Sequence, residues 1–239
     1  MKRLLVLLFV VVSLQSFAQN DAVINDPNAQ VRTLQESFSA ISVTDGVQLY
    51  LTQGNEESIA VSASDPKYME RYKTVVDNGV LKIYYDNKGI KWTGNEKRRL
   101  TAYVSFKTLQ KLHASAGSHV TMKSVLTADK MEYSFSSGSR FTGEINVERL
   151  EVGESSGASI EINGKAGNLK VDVSSGAIFK GYELKADYCE AKATSGASVR
   201  INVSKELNVK ANSGGGIHYT GDGVIKDMNV NSGGSVKKG

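Results

Sequence analysis

Seven short Ser/Gly turns recur along the second half of this chain at almost constant spacing, and few folds tolerate such a rhythm. They run from Ser115-Ala116-Gly117-Ser118 and Ser136-Ser137-Gly138-Ser139 to Asn231-Ser232-Gly233-Gly234, and successive first glycines lie 21, 19, 19, 20, 18 and 19 residues apart. No helical pattern fills the intervals. A period of this length made of short strands indicates a solenoid, in which one coil cannot bury its apolar side alone and stacking does so.

Counted from each first glycine, the odd offsets are mostly apolar. Position −5 holds Leu112, Tyr133, Val152, Val171, Ala191, Val209 and Met228, and position +3 holds Val120, Phe141, Ile160, Phe179, Val199, Ile217 and Val236. The even offsets carry charge, as at Lys170, Asp172, Lys180, Lys192 and Arg200. Alternation of period two means strands with one buried face. Equivalent strands of successive coils then pair in the same direction, about 4.8 Å apart. The expected fold is all-β: a single-stranded parallel β-helix with coils of about 19–20 residues, right-handed by the usual rule for such connections. Glu154 interrupts the apolar column at −3. A buried, unpaired carboxylate is costly, so a local bulge is expected to turn it outward.

The residue before the first glycine is serine in six of the seven turns, giving the pairs Ser137-Gly138, Ser156-Gly157, Ser175-Gly176, Ser195-Gly196, Ser213-Gly214 and Ser232-Gly233. These serines share the parity of the buried positions. They are expected to form a structural ladder whose hydroxyls bond to neighbouring coils or to free backbone groups, with each glycine supplying a positive φ or a close approach at the bend. A nucleophilic serine needs a base within hydrogen-bond reach, and a residue repeated in every coil is a poor catalyst.

Residues 1–18 read as a secretory signal peptide: Lys2 and Arg3, an apolar run from Leu4 to Val12, then Ser16-Phe17-Ala18 as a cleavage site. The apolar run falls short of the roughly 20 residues of a membrane span, and no second long one follows. Export to the periplasm, the outer-membrane surface or the medium is the expectation. Residues 19–35 read as a flexible segment and 36–239 as one β-helix domain, irregular over 36–111 and regular over 112–239. In the irregular part, the sequences around Asp45-Gly46 and Asn78-Gly79 read as strand–turn–strand units. Asp65 followed by Pro66 predicts one short helix over 66–72. Leu100, Ala102, Val104 and Phe106 alternate as a strand.

Removing Lys2 and Arg3 takes 29 basic residues to 27 against 25 acidic ones. That near-neutral balance offers no clustered basic face for nucleic acid. Cys189 is the only cysteine, so no internal disulfide forms. It aligns with Met131, Leu150, Leu169 and Leu207 and is expected to be buried.

No catalytic constellation, cofactor motif or metal-ligand set emerges. His113 and His119 flank the first corner without other ligands, whereas zinc needs three or four that converge. Lys180, Arg200, His218 and Lys237 stand in one outward column at +4, a candidate rim for an anionic ligand. Ile178 is an outward apolar residue beside them. Trp92, the sole tryptophan, lies in a basic segment with Lys91, Lys97, Arg98 and Arg99 and is a candidate anchor for a sugar or a partner.

The order of these features carries a resemblance. A strand with Phe38 and Ile41 leads into Asp45-Gly46, a helix led by Pro66, then Asn78-Gly79-Val80-Leu81-Lys82-Ile83, Trp92, a further strand, and Leu109 and Leu112 running into serial Ser-Gly corners. Over about residues 36–235 this resembles the bacterial family called putative auto-transporter adhesin, head GIN domain. The resemblance implies an exported β-helix with an adhesion role and no catalytic residues; adhesin heads of that kind suggest a homo-oligomer, a trimer being one candidate. No barrel translocator is recognised in the chain. The expected function is therefore non-enzymatic binding of a cell-surface or extracellular glycan or protein through the lateral face of the solenoid. A polysaccharide-active β-helix enzyme and a self-assembling envelope protein are the alternatives.

Overall fold

The computed structural model describes residues 26–89 and 98–239. Residues 1–18, read above as a signal peptide, residues 19–25, and Trp92 with Lys91 and Lys97 lie outside the described residues. The chain is an all-β solenoid. Its strands are β1 (Gln30–Arg32), β2 (Ala40–Val43), β3 (Gln48–Gln53), β4 (Ser58–Ala63), β5 (Tyr72–Asp77), β6 (Val80–Tyr85), β7 (Leu100–Phe106), β8 (Lys111–Ala114), β9 (His119–Met122), β10 (Leu126–Phe135), β11 (Arg140–Glu154), β12 (Ser159–Val173), β13 (Ile178–Ala193), β14 (Ser198–Ala211), β15 (Gly216–Thr220), β16 (Val224–Val230) and β17 (Ser235–Lys238).

The columns predicted from the repeat are the registers observed. Leu112, Tyr133, Val152, Val171, Ala191, Val209 and Met228 are successive parallel partners. So are Val120, Phe141, Ile160, Phe179, Val199, Ile217 and Val236. Except in the last coil, these side chains are buried. Tyr133, Phe135 and Phe141 form an aromatic cluster in the lower coils, with ring centroids 4.8–5.9 Å apart. Cys189 lies in register between Leu169 and Leu207, and burial pushes its thiol pKa up.

Packing inside a coil is complementary along the strand. Where +3 is phenylalanine, +5 is glycine: Phe141 with Gly143, and Phe179 with Gly181. A Cβ on Gly181 would sit 2.5 Å from Phe179 Cε1, because the ring folds back over its own strand. The coil between them has Ile160 and Ile162 instead, and Ile162 is the register partner of Gly143.

The corners differ from the hydroxyl ladder expected above. In each, the serine (φ +47 to +53) and the following glycine (φ +71 to +76) are both left-handed, the two central residues of a type I′ turn. The turn closes by a bond such as Ser139 N–H to the Ser136 carbonyl, 3.1 Å. Two consecutive left-handed residues push the tip outward, so Ser137, Ser156, Ser175, Ser195, Ser213 and Ser232 are exposed, and the buried corner position falls at +1, on Ser139, Ala158, Ala177 and Ala197. The ladder is made of backbone: each glycine N–H donates to the serine carbonyl of the next coil, as from Gly138 to Ser156 (3.1 Å) and from Gly176 to Ser195 (3.1 Å).

The expected helix is a single 3₁₀ turn, Pro66–Tyr68, whose amide at Lys67 donates to the Asp65 side chain. Asp45-Gly46 joins β2 to β3 as a solenoid corner, whereas Asn78-Gly79 closes the antiparallel hairpin β5–β6. The first coil, β2–β3, is not at the end of the stack. β6 and β7 pair with it on one side, and β8 and β9 on the other. The antiparallel strands β4, β1 and β5 cover that lower end. At the upper end β16 and β17 form the last coil, where Val224, Met228 and Val230 are 59%, 51% and 42% exposed.

Candidate ligand-binding face

Strand segments that follow the corners turn two rows of side chains outward. One row, at +2, holds His119, Arg140, Ser159, Ile178, Ser198, Gly216 and Ser235; the other, at +4, holds Thr121, Thr142, Glu161, Lys180, Arg200, His218 and Lys237. The structure therefore brings Ile178, Lys180, Arg200 and His218 together on one face and adds Lys237. Ile178 is 38% exposed. From Lys180 to Lys237 the row climbs three steps of about 4.8 Å.

Its partners grade along the row. Lys180 Nζ bonds Glu161 Oε2 at 3.2 Å. Above it, Arg200 and Lys237 make no hydrogen bond or ion pair among the described residues. The Nδ1 of the half-buried His218 ring is likewise without a partner there. The pre-corner face behaves differently: Lys192 pairs with Asp172 (2.9 Å), and Lys111 with Glu132 (2.9 Å), across adjacent coils. Such exposed pairs are worth roughly 0–1 kcal/mol each.

Beside the basic row lies a shallow depression of about 530 Å³ lined by Thr142, Glu161, Asn163, Lys180, Tyr182 and Arg200, among others. Tyr182 and Asn163 do not stand out in the sequence. Both lie at the outward +6 offset from their first glycine; just there the pairing of β12 with β13 shifts register, with three residues from Glu161 to Gly164 against four from Lys180 to Leu184, and Gly164 takes φ +111. A larger concavity on another side, about 1090 Å³, is lined by Gln110, Asn146, Glu148, Lys165, Lys185 and Asp187 with their neighbours, and its charges are mixed.

Glu154 does not turn outward. It is 3% exposed, in register between Phe135 and Val173, and neither carboxyl oxygen has a hydrogen-bond partner among the described residues. Burial pushes its pKa up to about 9, and the nearby Ile160 amide opposes the rise without reaching bonding geometry. No bulge forms because β11 pairs continuously with β12 from Arg149 to Glu154. Arg98, at the end of the Trp92 segment, stacks over the Tyr85 ring at 4.2 Å and donates to Asn87, which donates to Asp45 at the first corner. Among the described residues no group of three or more His, Cys, Asp or Glu is placed to hold a metal.

A solenoid with an irregular lower end, serial Ser-Gly corners and a polar lateral face is now defined. The family model described as "Putative auto-transporter adhesin, head GIN domain" matches residues 37–223. The chain belongs to this family. Solved structures share the GIN-domain fold at low sequence identity. A putative adhesin from Bacteroides fragilis NCTC 9343 superposes with a TM-score of 0.77 at 17% identity, covering 88% of this chain and 95% of that one. One from Parabacteroides merdae ATCC 43184 gives 0.69 at 15%, covering 90% and 97%. A structure from Parabacteroides distasonis ATCC 8503 described as a putative lipid binding protein gives 0.65 at 16%, covering 90% and 98%. Comparison with curated proteins yields no match. Among the described residues of this GIN domain, no helix is long and apolar enough to cross a membrane.

Proposed function

We propose that this GIN-domain protein is an exported, non-enzymatic adhesion module that binds a glycan or protein at the cell envelope through the lateral face of its solenoid. The observation that carries this reading is the outer face of the post-corner strands, where Ile178, Lys180, Arg200, His218 and Lys237 stand in two adjacent, in-register rows. A rigid parallel ladder holds those side chains at fixed intervals, which suits an extended ligand better than a closed pocket would. Membership of an adhesin family supports it. The test is retention of bacterial or host cells, and of arrayed glycans, on the immobilised protein. Binding without depolymerisation of the bound glycan is expected. Turnover of a polysaccharide, or no retention at all, refutes the reading.

A second reading, assembly of copies into a homo-oligomer, draws on the exposed apolar side chains of β16, Val224, Met228 and Val230. An edge strand with such residues is prone to pair with another chain. Light scattering at high micromolar concentration distinguishes it: Met228→Asp dissociates an oligomer held this way, and a monomer at that concentration excludes it.

A further inference from the structure

The basic row and the depression beside it differ in what they offer a ligand, and together they point to its chemistry. Arg200 and Lys237 are exposed and unpaired among the described residues, two coils apart on one straight row. A guanidinium presents a fixed fork that matches a carboxylate. The neighbouring +2 row is low in the same coils: Ser198, Gly216 and Ser235. That leaves a shelf with hydroxyl donors alongside the cations. Below it, the depression of about 530 Å³ is lined by Tyr182, Asn163 and Thr142, with Lys180 and the carboxylates of Glu161 and Glu183 at its edge. This is lining suited to one sugar ring, an apolar face with a few polar groups that fix orientation.

We propose that this face binds a linear acidic polysaccharide of the polyuronate class, lying along the solenoid axis with carboxylates on Arg200 and Lys237 and a sugar ring in the depression at Tyr182. The inference rests on the adhesion reading and names its ligand. Single-stranded nucleic acid fits less well, because successive bases need stacking platforms and the shelf beside the cations is serine and glycine. An anionic membrane surface fits less well too, because the unpaired cations stand in one narrow row; Glu161 and Glu183 in the depression require the ring seated there to present neutral hydroxyls, its carboxylates lying up the row.

The experiment is calorimetric titration of the full protein with sodium polygalacturonate, neutral dextran, single-stranded poly(dT) and phosphatidylglycerol vesicles, at two or more salt concentrations. Polygalacturonate should bind, weaken with salt as released counterions require, and bind about tenfold more weakly to the double variant Arg200→Glu/Lys237→Glu. Tyr182→Ala should weaken it without changing the salt dependence. Both altered cations are exposed, so the fold is expected to survive, and an unchanged thermal melt checks that. Equal affinity of wild type and the double variant overturns the proposal. So does preferential binding of dextran, poly(dT) or vesicles. Retention of cells on the same preparation without polygalacturonate binding sinks only the ligand class, whereas loss of both sinks the adhesion reading beneath it.

Discussion

Burial of Glu154 ties the stability of this solenoid to pH in an unusual direction. The carboxyl, ordinarily titrating at 4.5, is pushed up to about 9 by burial in the core. Between those values the folded state holds a proton that the unfolded state has released. Stability is therefore intact with respect to this group below about pH 4.5 and falls as pH rises through the window. Each pH unit corresponds to about 1.4 kcal/mol for one such group. Wild type should thus lose roughly 3 kcal/mol between pH 5 and pH 7. Glu154→Gln keeps the shape and cannot ionise, so its profile should lack that slope. Glu154→Leu, filling the column with an apolar side chain like those of Phe135 and Val173, should exceed wild type at neutral pH. Urea unfolding of the three proteins at pH 5, 6, 7 and 8 measures this. The informative quantity is wild type minus Glu154→Gln, because the other carboxylates cancel. Parallel profiles for the two would refute the argument and place the Glu154 carboxylate in contact with water.

Three further outcomes follow from the packing. Ile162→Ala, at a buried site facing Gly143, should cost roughly 2–5 kcal/mol, while Lys170→Ala should cost almost nothing; equal denaturation midpoints would contradict the register. Gly181→Ala should destabilise by about 1–3 kcal/mol, because its Cβ would meet the Phe179 ring at 2.5 Å and the Arg200 carbonyl at 3.1 Å; a neutral result in thermal melts would mean the ring swings aside freely. Ser175→Ala should change stability by less than about 0.5 kcal/mol, since the exposed hydroxyl bonds nothing among the described residues and the ladder uses backbone; a loss several times larger would restore the hydroxyl ladder.

How much of this was legible before the structure depended on whether a residue obeyed the period of two. Val152, Val171 and Ile160, Phe179 did, and their columns are the observed registers. Ser175 kept the parity of the core but not its direction, because two left-handed residues in succession interrupt the alternation that parity assumes. Glu154 departs from its expectation for a different reason: the cost of burying a charged carboxylate favours a bulge, whereas a carboxyl whose pKa is raised can stay protonated and let the ladder continue unbroken. The row of Lys180, Arg200, His218 and Lys237 could be counted from the corners. Tyr182 and Asn163 stand at the outward +6 offset of their coils and could be counted too, but the depression they line could not, since it lies where the register of β13 against β12 shifts after Glu161. The position of β6–β7 beneath β2–β3 left no trace either, because pairing between non-consecutive strands is a long-range fact.

That out-of-order stacking bears on the history of each molecule. The coils do not stack in chain order at the start: the first coil lies in the middle, with β6 on one side of it and β8 on the other, so it has both neighbours only once the chain has reached β8. From β10 onward each coil stacks on the one before it in chain order. The lower end is thus a starter piece of distant contacts, slow to assemble and not divisible coil by coil. The upper end behaves as a one-dimensional array. Removing β16 and β17 should shorten the array and leave the rest standing, whereas removing β2 and β3 should take out the piece on which both neighbours rest.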